Sequence, residues 1–399
     1  MPHPQIYSAT PYFKKRPFPF MLCITFLLIL CSACGTNTQS RTKLAYSDPV
    51  APVGDSLLTV PQSIHPIMNV WMRDTYVMLG PDSNYYMTGT TASPNRIFEG
   101  ATHCWDYNDG IYLWQSTDLK HWKSLGRIWS FDKDAAPWQK KGKPIKEGTT
   151  SLNGDPLDSM YRAVWAPEIH YIKSRHRWLI AACLNEGQGS FVLESTTGSP
   201  TGPYINIKGN KDKPIFDNID LSIFEDTDGQ VYLVGHDHYI ALMNSDLSDI
   251  AEPFRKLKET PYQPEPYIEG VWLTKHDHTY QLVQSVWSVL KPDSTYSYIR
   301  DGHKDKGLYS YDVVVAEADS IYGPYGPRYP AILGGGHNNF FTDKAGNWWS
   351  TAFFNPRGMM AASFPITCRP ALIPLQWVNG RVRPDIQAAT SFYSNLKTK

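Results

Sequence analysis

The chain alternates short apolar, aromatic-rich runs with polar turns, and the 3.6-residue periodicity of helices is nearly absent. Five segments share one outline: "VWMRDTYVMLGPDSNYYMTG", "AVWAPEIHYIKSRHRWLIAA", "NIDLSIFEDTDGQVYLVGH", "YIEGVWLTKHDHTYQLVQS" and "GGGHNNFFTDKAGNWWSTAF". Each opens on small or polar residues, continues as a β-prone run, turns through polar residues and returns as an aromatic-led strand, which is the pattern of a hairpin. The spacing is nearly constant. Eleven residues separate Asp74 from Tyr85, Pro167 from Trp178, Glu269 from Tyr280 and His337 from Trp348, and twelve separate Asp220 from Tyr232.

A second strand–turn–strand unit follows several of these segments, as in "GIYLWQSTDLKHWKSLG", "GSFVLESTTGSPTGPYINI", "YIALMNSDLSDIAEPFRKL" and "YDVVVAEADSIYGPYGP". Two hairpins make a four-stranded antiparallel sheet. Five such sheets predict an all-β, five-bladed β-propeller around a central channel. The segment "CRPALIPLQWVNGRVRP" reads as the closing strands of the last blade. Two polar, turn-rich stretches, Asp132–Tyr161 and Lys291–Lys306, interrupt the pattern and are expected near the functional face.

Composition narrows the picture. Among 399 residues, Lys+Arg and Asp+Glu balance at 38 each, so the chain carries no electrostatic footprint for nucleic acid. The 13 Trp, 24 Tyr and 16 Phe suit a β-rich core first and sugar stacking second. "KKR" at Lys14–Arg16 followed by "FPFMLCITFLLILCSAC" is a secretory signal. Its end resembles a bacterial lipobox, with Cys31 where leucine is usual; this implies cleavage before Cys34 and lipidation of that residue. The expected organisation is a signal peptide at 1–33, a tether at 34–60 and the propeller at 61–399. Export to the bacterial cell envelope follows, on the outer membrane or its periplasmic face, or as a secreted protein. The lipid anchor is the single expected membrane contact, and a monomer is expected. Cys104, Cys183 and Cys368 form neither a disulfide framework nor a zinc spacing.

In a propeller the first strand of each blade runs along the channel, so the strand starts converge. Here they carry Asp74, the pair Pro167–Glu168, Asp220, Glu269 and His337. Carboxyls gathered in a partly desolvated pocket raise one another's pKa. Such a set can divide labour between a protonated acid and an ionised base, as glycoside hydrolysis requires.

The motifs "RDTYVMLGPDSNYYMTG", "WAPEIHY", "IDLSIFEDTDGQVYLV", "IEGVWLTKHDHTYQL" and "GGGHNNFFTDKAGNWW" resemble, in order, the blade signatures of glycoside hydrolase family 43, from about Val70 to about Pro384. The resemblance implies an anomer-inverting glycosidase acting on α-L-arabinofuranosides, β-D-xylosides or galactose-based relatives. It implies Asp74 as general base, Glu269 as general acid, and Asp220 as the residue that orients the acid and tunes its pKa. Inversion would place the Asp74 and Glu269 carboxyls ~6.5–9.5 Å apart. The sequence departs from the family's usual proline at Thr75, Leu221 and Val271. His337 matches a histidine deep in the channel, where some members hold a calcium ion or a water. No cofactor is required by the implied reaction; a structural calcium, or an ion near His337, is the one metal the resemblance allows.

Other residues are candidates for substrate contact: Trp105, Trp165 and Trp272 for stacking on a sugar ring, and Arg357 in "FNPRGM" for a hydroxyl. For each tryptophan a place in the core is the ordinary alternative. The doubled "HDH" at His236–His238 and His276–His278 reads as polar turn and strand-end chemistry, and "DTDG" at Asp226–Gly229 as a turn. The expected partner is an oligo- or polysaccharide of plant type, cleaved by exo action. A non-catalytic glycan-binding propeller is the rival reading.

Overall fold

A computed structural model of the chain describes residues 63–91, 107–144, 160–258, 268–290, 296–297, 308–353 and 369–396. The predicted signal, tether and Cys34, together with Cys104, Trp105, Arg357 and Cys368, lie outside the described residues.

Five antiparallel sheets follow one another along the chain as the blades of a propeller. The first holds β1 (Met72–Leu79), β2 (Tyr85–Thr91), β3 (Gly110–Ser116) and β4 (Trp122–Ser130). A two-stranded ribbon, β5 (Lys143–Pro144) with β6 (Met160–Tyr161), then lies within the first predicted insertion. The second blade holds β7 (Val164–Ile172), β8 (Arg177–Leu184), β9 (Ser190–Ser195) and β10 (Tyr204–Asn206). The third holds β11 (Ser222–Glu225), β12 (Val231–Gly235), β13 (Tyr239–Leu242) and β14 (Arg255–Lys256). The fourth is larger: β15 (Ile268–His276), β16 (Thr279–Leu290), β18 (Leu308–Ala318) and β19 (Tyr329–Ile332), with the short β17 (Tyr296–Ser297) added beside β16. The fifth holds β20 (Phe340–Thr342), β21 (Trp348–Phe353), β22 (Pro370–Val378) and β23 (Arg381–Pro384).

Burial follows blade stacking. Apolar clusters fill the seams between blades one and two (Tyr86, Trp129, Ile169, Trp178), two and three (Leu179, Val192, Ile223, Leu233), and three and four (Val234, Ile240, Leu273, Leu282). A fourth cluster joins blades four, five and one, with Val77, Val283, Val313, Phe340 and Leu372. The helix α1 (Ile386–Ser394), N-capped by Asp385, adds Ala389 and Tyr393 to it. Its Tyr393 hydroxyl donates to Leu372 O at 2.8 Å and accepts from Leu372 N at 3.0 Å, pinning the helix to β22.

The ring closes between the last and first blades without a shared strand. The Asn339 side chain donates from Nδ2 to Val77 O at 2.8 Å and accepts from Val77 N at 3.0 Å, copying the hydrogen-bond pair of a β-ladder.

The first strands of blades one, two and four share one irregularity. Register shifts lie between Arg73 and Tyr76, Trp165 and Glu168, and Glu269 and Trp272, where two residues oppose one on the partner strand. The first residue of each bulge is left-handed: Asp74 (φ 50), Ala166 (φ 43) and Gly270 (φ 58), with Asp220 (φ 56) at the matching place in blade three. This corrects the even repeat read from spacing. Asp74 opens its bulge and Asp220 takes the same left-handed backbone just before β11, whereas Glu269 stands one residue earlier, in register with Arg73 and Trp165. Two acids therefore accept a left-handed backbone, while beside Glu269 a glycine takes it, where no Cβ meets the following carbonyl. Thr75, Leu221 and Val271, where the family's prolines are missing, each follow the left-handed residue and are fully buried; the bulges form without them.

Candidate active site

The starts of the first strands of blades one, three and four bring Asp74, Asp220 and Glu269 to one place. Asp74 and Asp220 are buried, and both face the same imidazole: His337 Nδ1 lies 3.6 Å from Asp74 Oδ1 and 4.0 Å from Asp220 Oδ2. Glu269 joins them through its own backbone. The N–H of Gly270, the next residue, donates to Asp220 Oδ2 at 2.9 Å, so Asp220 holds the peptide that carries Glu269. Gly270 also abuts His337, since a Cβ there would lie 2.8 Å from two of its ring carbons.

The electrostatics give the same picture. Burial alone would push the Asp74 carboxyl up, but the Arg73 guanidinium, His337 and the Thr90 hydrogen bond together hold it below the ordinary aspartate value. Arg73 Nε donates to Asp74 Oδ1 at 3.0 Å, and Thr90 Oγ1 donates to Asp74 Oδ2 at 2.6 Å. Asp220 moves the other way: burial, opposed by His337 and reinforced by the Glu269 charge, pushes its carboxyl up. The like charges thus do not lift both aspartates; at Asp74 the adjacent arginine, His337 and Thr90 together outweigh burial.

Two neutral groups sense all three acids. Burial raises the Cys183 thiol well above its usual value, and the charges of Asp220, Asp74 and Glu269 add to it. The Tyr311 hydroxyl on β18 is raised by burial and then by Glu269, Asp220 and Asp74. Cys183 Sγ accepts the Asp220 N–H at 3.4 Å and lies 4.0 Å from its Oδ1. None of Arg73, Thr90, Cys183 or Tyr311 stood out in the sequence. Arg73 alone carried a local signal, being next to Asp74.

Glu168 belongs to a separate network further along the channel. Ser222 Oγ donates to its Oε2 at 2.6 Å, His170 Nε2 lies 3.0 Å from the same oxygen, and His170 Nδ1 is 3.1 Å from the Tyr76 hydroxyl.

Of the predicted sugar-contact residues, Trp165 is half-buried and sits in register with Glu269 at the mouth of its bulge. Trp272 is corrected. It is 4% exposed and packs edge-on against Phe340 at 5.1 Å within the apolar cluster, so it has no ring face left for a sugar. His236–His238 forms a short turn after β12, and His276 and His278 flank the hairpin turn between β15 and β16. Among the described residues no three His, Cys, Asp or Glu side chains are grouped to hold a metal. The carboxylate oxygens nearest His337, Asp74 Oδ1 and Asp220 Oδ2, each accept a protein donor, from Arg73 and from Gly270.

Of the second predicted insertion, only Tyr296–Ser297 lies among the described residues. Ile268 pairs with Val286, and β16 then runs on through Leu290, paired with β17 and β18, past the start of β15 that carries Glu269.

Comparison with known proteins agrees with this architecture. The solved structure of an endo-1,4-β-xylanase from Bacteroides thetaiotaomicron superposes with a TM-score of 0.53 at 22% identity, covering 80% of this chain and 96% of that one. A β-xylosidase/α-arabinofuranosidase from a compost microbial metagenome superposes with a TM-score of 0.56 at 14% identity, covering 82% and 98%. At such identities the likeness is one of fold. In sequence, a β-D-galactofuranosidase of Aspergillus niger is 27% identical over 216 residues, 48% of this chain and 56% of that protein. The chain thus spans little more than half the length of that curated relative. The family described as glycosyl hydrolases family 43 matches residues 64–382, most of the chain. The chain belongs to glycosyl hydrolases family 43.

Proposed function

We propose that the protein is an exo-acting, anomer-inverting glycosidase that releases arabinofuranosyl, xylosyl or galactosyl-type residues from plant-type polysaccharides. The observation that carries this reading is the split between two aspartates around one histidine: Asp74 held ionised, Asp220 pushed toward its protonated form, and Glu269 tied to Asp220 through the Gly270 amide. A β-D-galactofuranosidase among the relatives and a β-xylosidase/α-arabinofuranosidase among similar folds support a furanose or pentose substrate.

In this mechanism Glu269 donates a proton to the glycosidic oxygen as the bond to the anomeric carbon breaks. Asp74 removes a proton from a water that attacks the opposite face of the sugar. Arg73 and Thr90 keep Asp74 deprotonated until that moment. Asp220 fixes the Glu269–Gly270 peptide and so aims the acid. The half-buried Trp165, in register with Glu269, supplies a ring against the sugar. We also propose that Cys34 is the lipidated first residue of the mature protein and tethers the propeller at the bacterial cell envelope.

The test is a panel of nitrophenyl α-L-arabinofuranoside, β-D-xyloside and β-D-galactofuranoside, assayed with wild type, Asp74→Ala and Glu269→Ala, with the product anomer followed by NMR. Hydrolysis with inversion, lost by roughly three orders of magnitude or more in Asp74→Ala, is expected. Binding of oligosaccharides with no hydrolysis of any substrate would favour the glycan-binding propeller instead.

A further inference from the structure

Thr90 on β2 sits between Asp74 and the neighbouring blade, 1% exposed. Its Oγ1 lies 2.6 Å from Asp74 Oδ2 and 2.7 Å from the backbone nitrogen of Ala166, the left-handed residue of the second blade's bulge. A backbone N–H can only donate. It therefore occupies a lone pair of the hydroxyl, and the hydroxyl's own hydrogen is committed to Asp74. The direction of the chain is fixed: Ala166 N–H to Thr90 O–H to the Asp74 carboxylate. A threonine side chain is stiff about its first torsion, and this one is enclosed, so the donor does not swing away.

The groups that bear on Asp74 come from every element around it. Arg73 Nε holds Oδ1 from the same strand, His337 Nδ1 approaches from the segment before β20, and Asp220 shares that histidine from the segment before β11. The Asp74 charge in turn reaches Cys183 on β8 and Tyr311 on β18. Among them Thr90 is the neutral donor whose polarity another blade sets. Asp220 receives the matching contact directly, from the Gly270 bulge amide, so in each case an acid at a left-handed position is anchored by a neighbouring blade's bulge.

We propose that Thr90 is a positioning residue for the reaction, a relay by which the second blade fixes the orientation of the Asp74 carboxylate and keeps it ionised. This rests on the reading of Asp74 as the base. A base with a depressed pKa is active above that pKa and fails as pH falls through it. Removing a committed donor raises the pKa and moves the acid limb of the pH profile upward.

The experiment uses the full chain with Thr90→Val, which keeps the shape and removes the hydroxyl, and Thr90→Ser, which keeps the hydroxyl; Thr90→Ala replaces the valine variant should that one not fold. With the nitrophenyl glycoside that wild type hydrolyses, kcat/KM is measured against pH. Expected for Thr90→Val is a 10- to 100-fold lower plateau carried by kcat, KM within about threefold of wild type, and an acid limb about one pH unit higher; Thr90→Ser restores limb and plateau to within about threefold. A wild-type acid limb in folded Thr90→Val, or a Thr90→Ser variant that behaves like it, overturns the proposal. The same pair is titrated by carbon-13 NMR of the Asp74 carboxyl, assigned with Asp74→Asn. If wild type hydrolyses no glycoside, the glycosidase reading falls, and equal carboxyl titrations in wild type and variant then overturn the relay as well.

Discussion

Replacing Gly270 by alanine probes the junction where backbone, acid and histidine meet. Two costs follow from the geometry. Gly270 has φ 58, and an alanine in the left-handed region costs roughly 1–2 kcal/mol. The new methyl group would also lie 2.8 Å from two carbons of the buried His337 ring and 3.0 Å from its Nδ1, a separation that real Cβ contacts do not tolerate. Overpacking of this kind costs about 1–3 kcal/mol more. Gly346, in the β20–β21 turn, has φ 84 and nothing within 4 Å of an added methyl group, so Gly346→Ala carries the backbone cost alone. For a domain of roughly 300 residues, 1 kcal/mol moves Tm by about 1–2 °C. Calorimetry should therefore find Gly270→Ala lowered by about 2–10 °C and Gly346→Ala by about 1–4 °C. Because His337 must give way, and with it the nitrogen facing Asp74 and Asp220, kcat on the nitrophenyl glycoside should fall at least tenfold in Gly270→Ala and stay unchanged in Gly346→Ala. Equal Tm and kcat in the two variants would refute the idea that the His337 ring is wedged against the Glu269–Gly270 peptide.

Two further outcomes follow from the site's surroundings. Trp272→Ala should behave as a core deletion, costing about 3–5 kcal/mol and lowering Tm by several degrees; a variant with wild-type Tm and a raised KM would return Trp272 to the sugar. Cys183 is fully buried and its thiol pKa is raised by burial and by Asp220, so a disulfide reagent should leave it unmodified in the native protein and react once the chain is unfolded in guanidinium, as mass spectrometry of the modified peptide would record.

Much of the fold was legible because each hairpin carries its own local marks: turn residues between a β-prone run and an aromatic-led return strand. The three acids were legible because they stand next to those marks. What surrounds them was not. Thr90 meets Asp74 across the hairpin, and Cys183 meets Asp220 across a blade seam; both contacts depend on register, which a one-residue bulge resets. The same bulge hid the offset of Glu269 from Asp74, since start-to-return spacing cannot tell which of two adjacent residues takes the left-handed turn. Trp272 looked like Trp165 on paper, yet it lies beyond the bulge, in register with Tyr76 and Glu168, where the blade-four strand turns its side chain onto Phe340.

Asn339 is two residues from His337, and its partner Val77 is three residues from Asp74. The amide that fastens the fifth blade to the first therefore also delivers the imidazole to the carboxylate it faces. During folding, four docked blades would bury most of the core and still lack this carboxylate–imidazole contact. The grouping of Asp74, Asp220 and His337 is completed at the final docking event, so a truncated or half-assembled molecule would lack it.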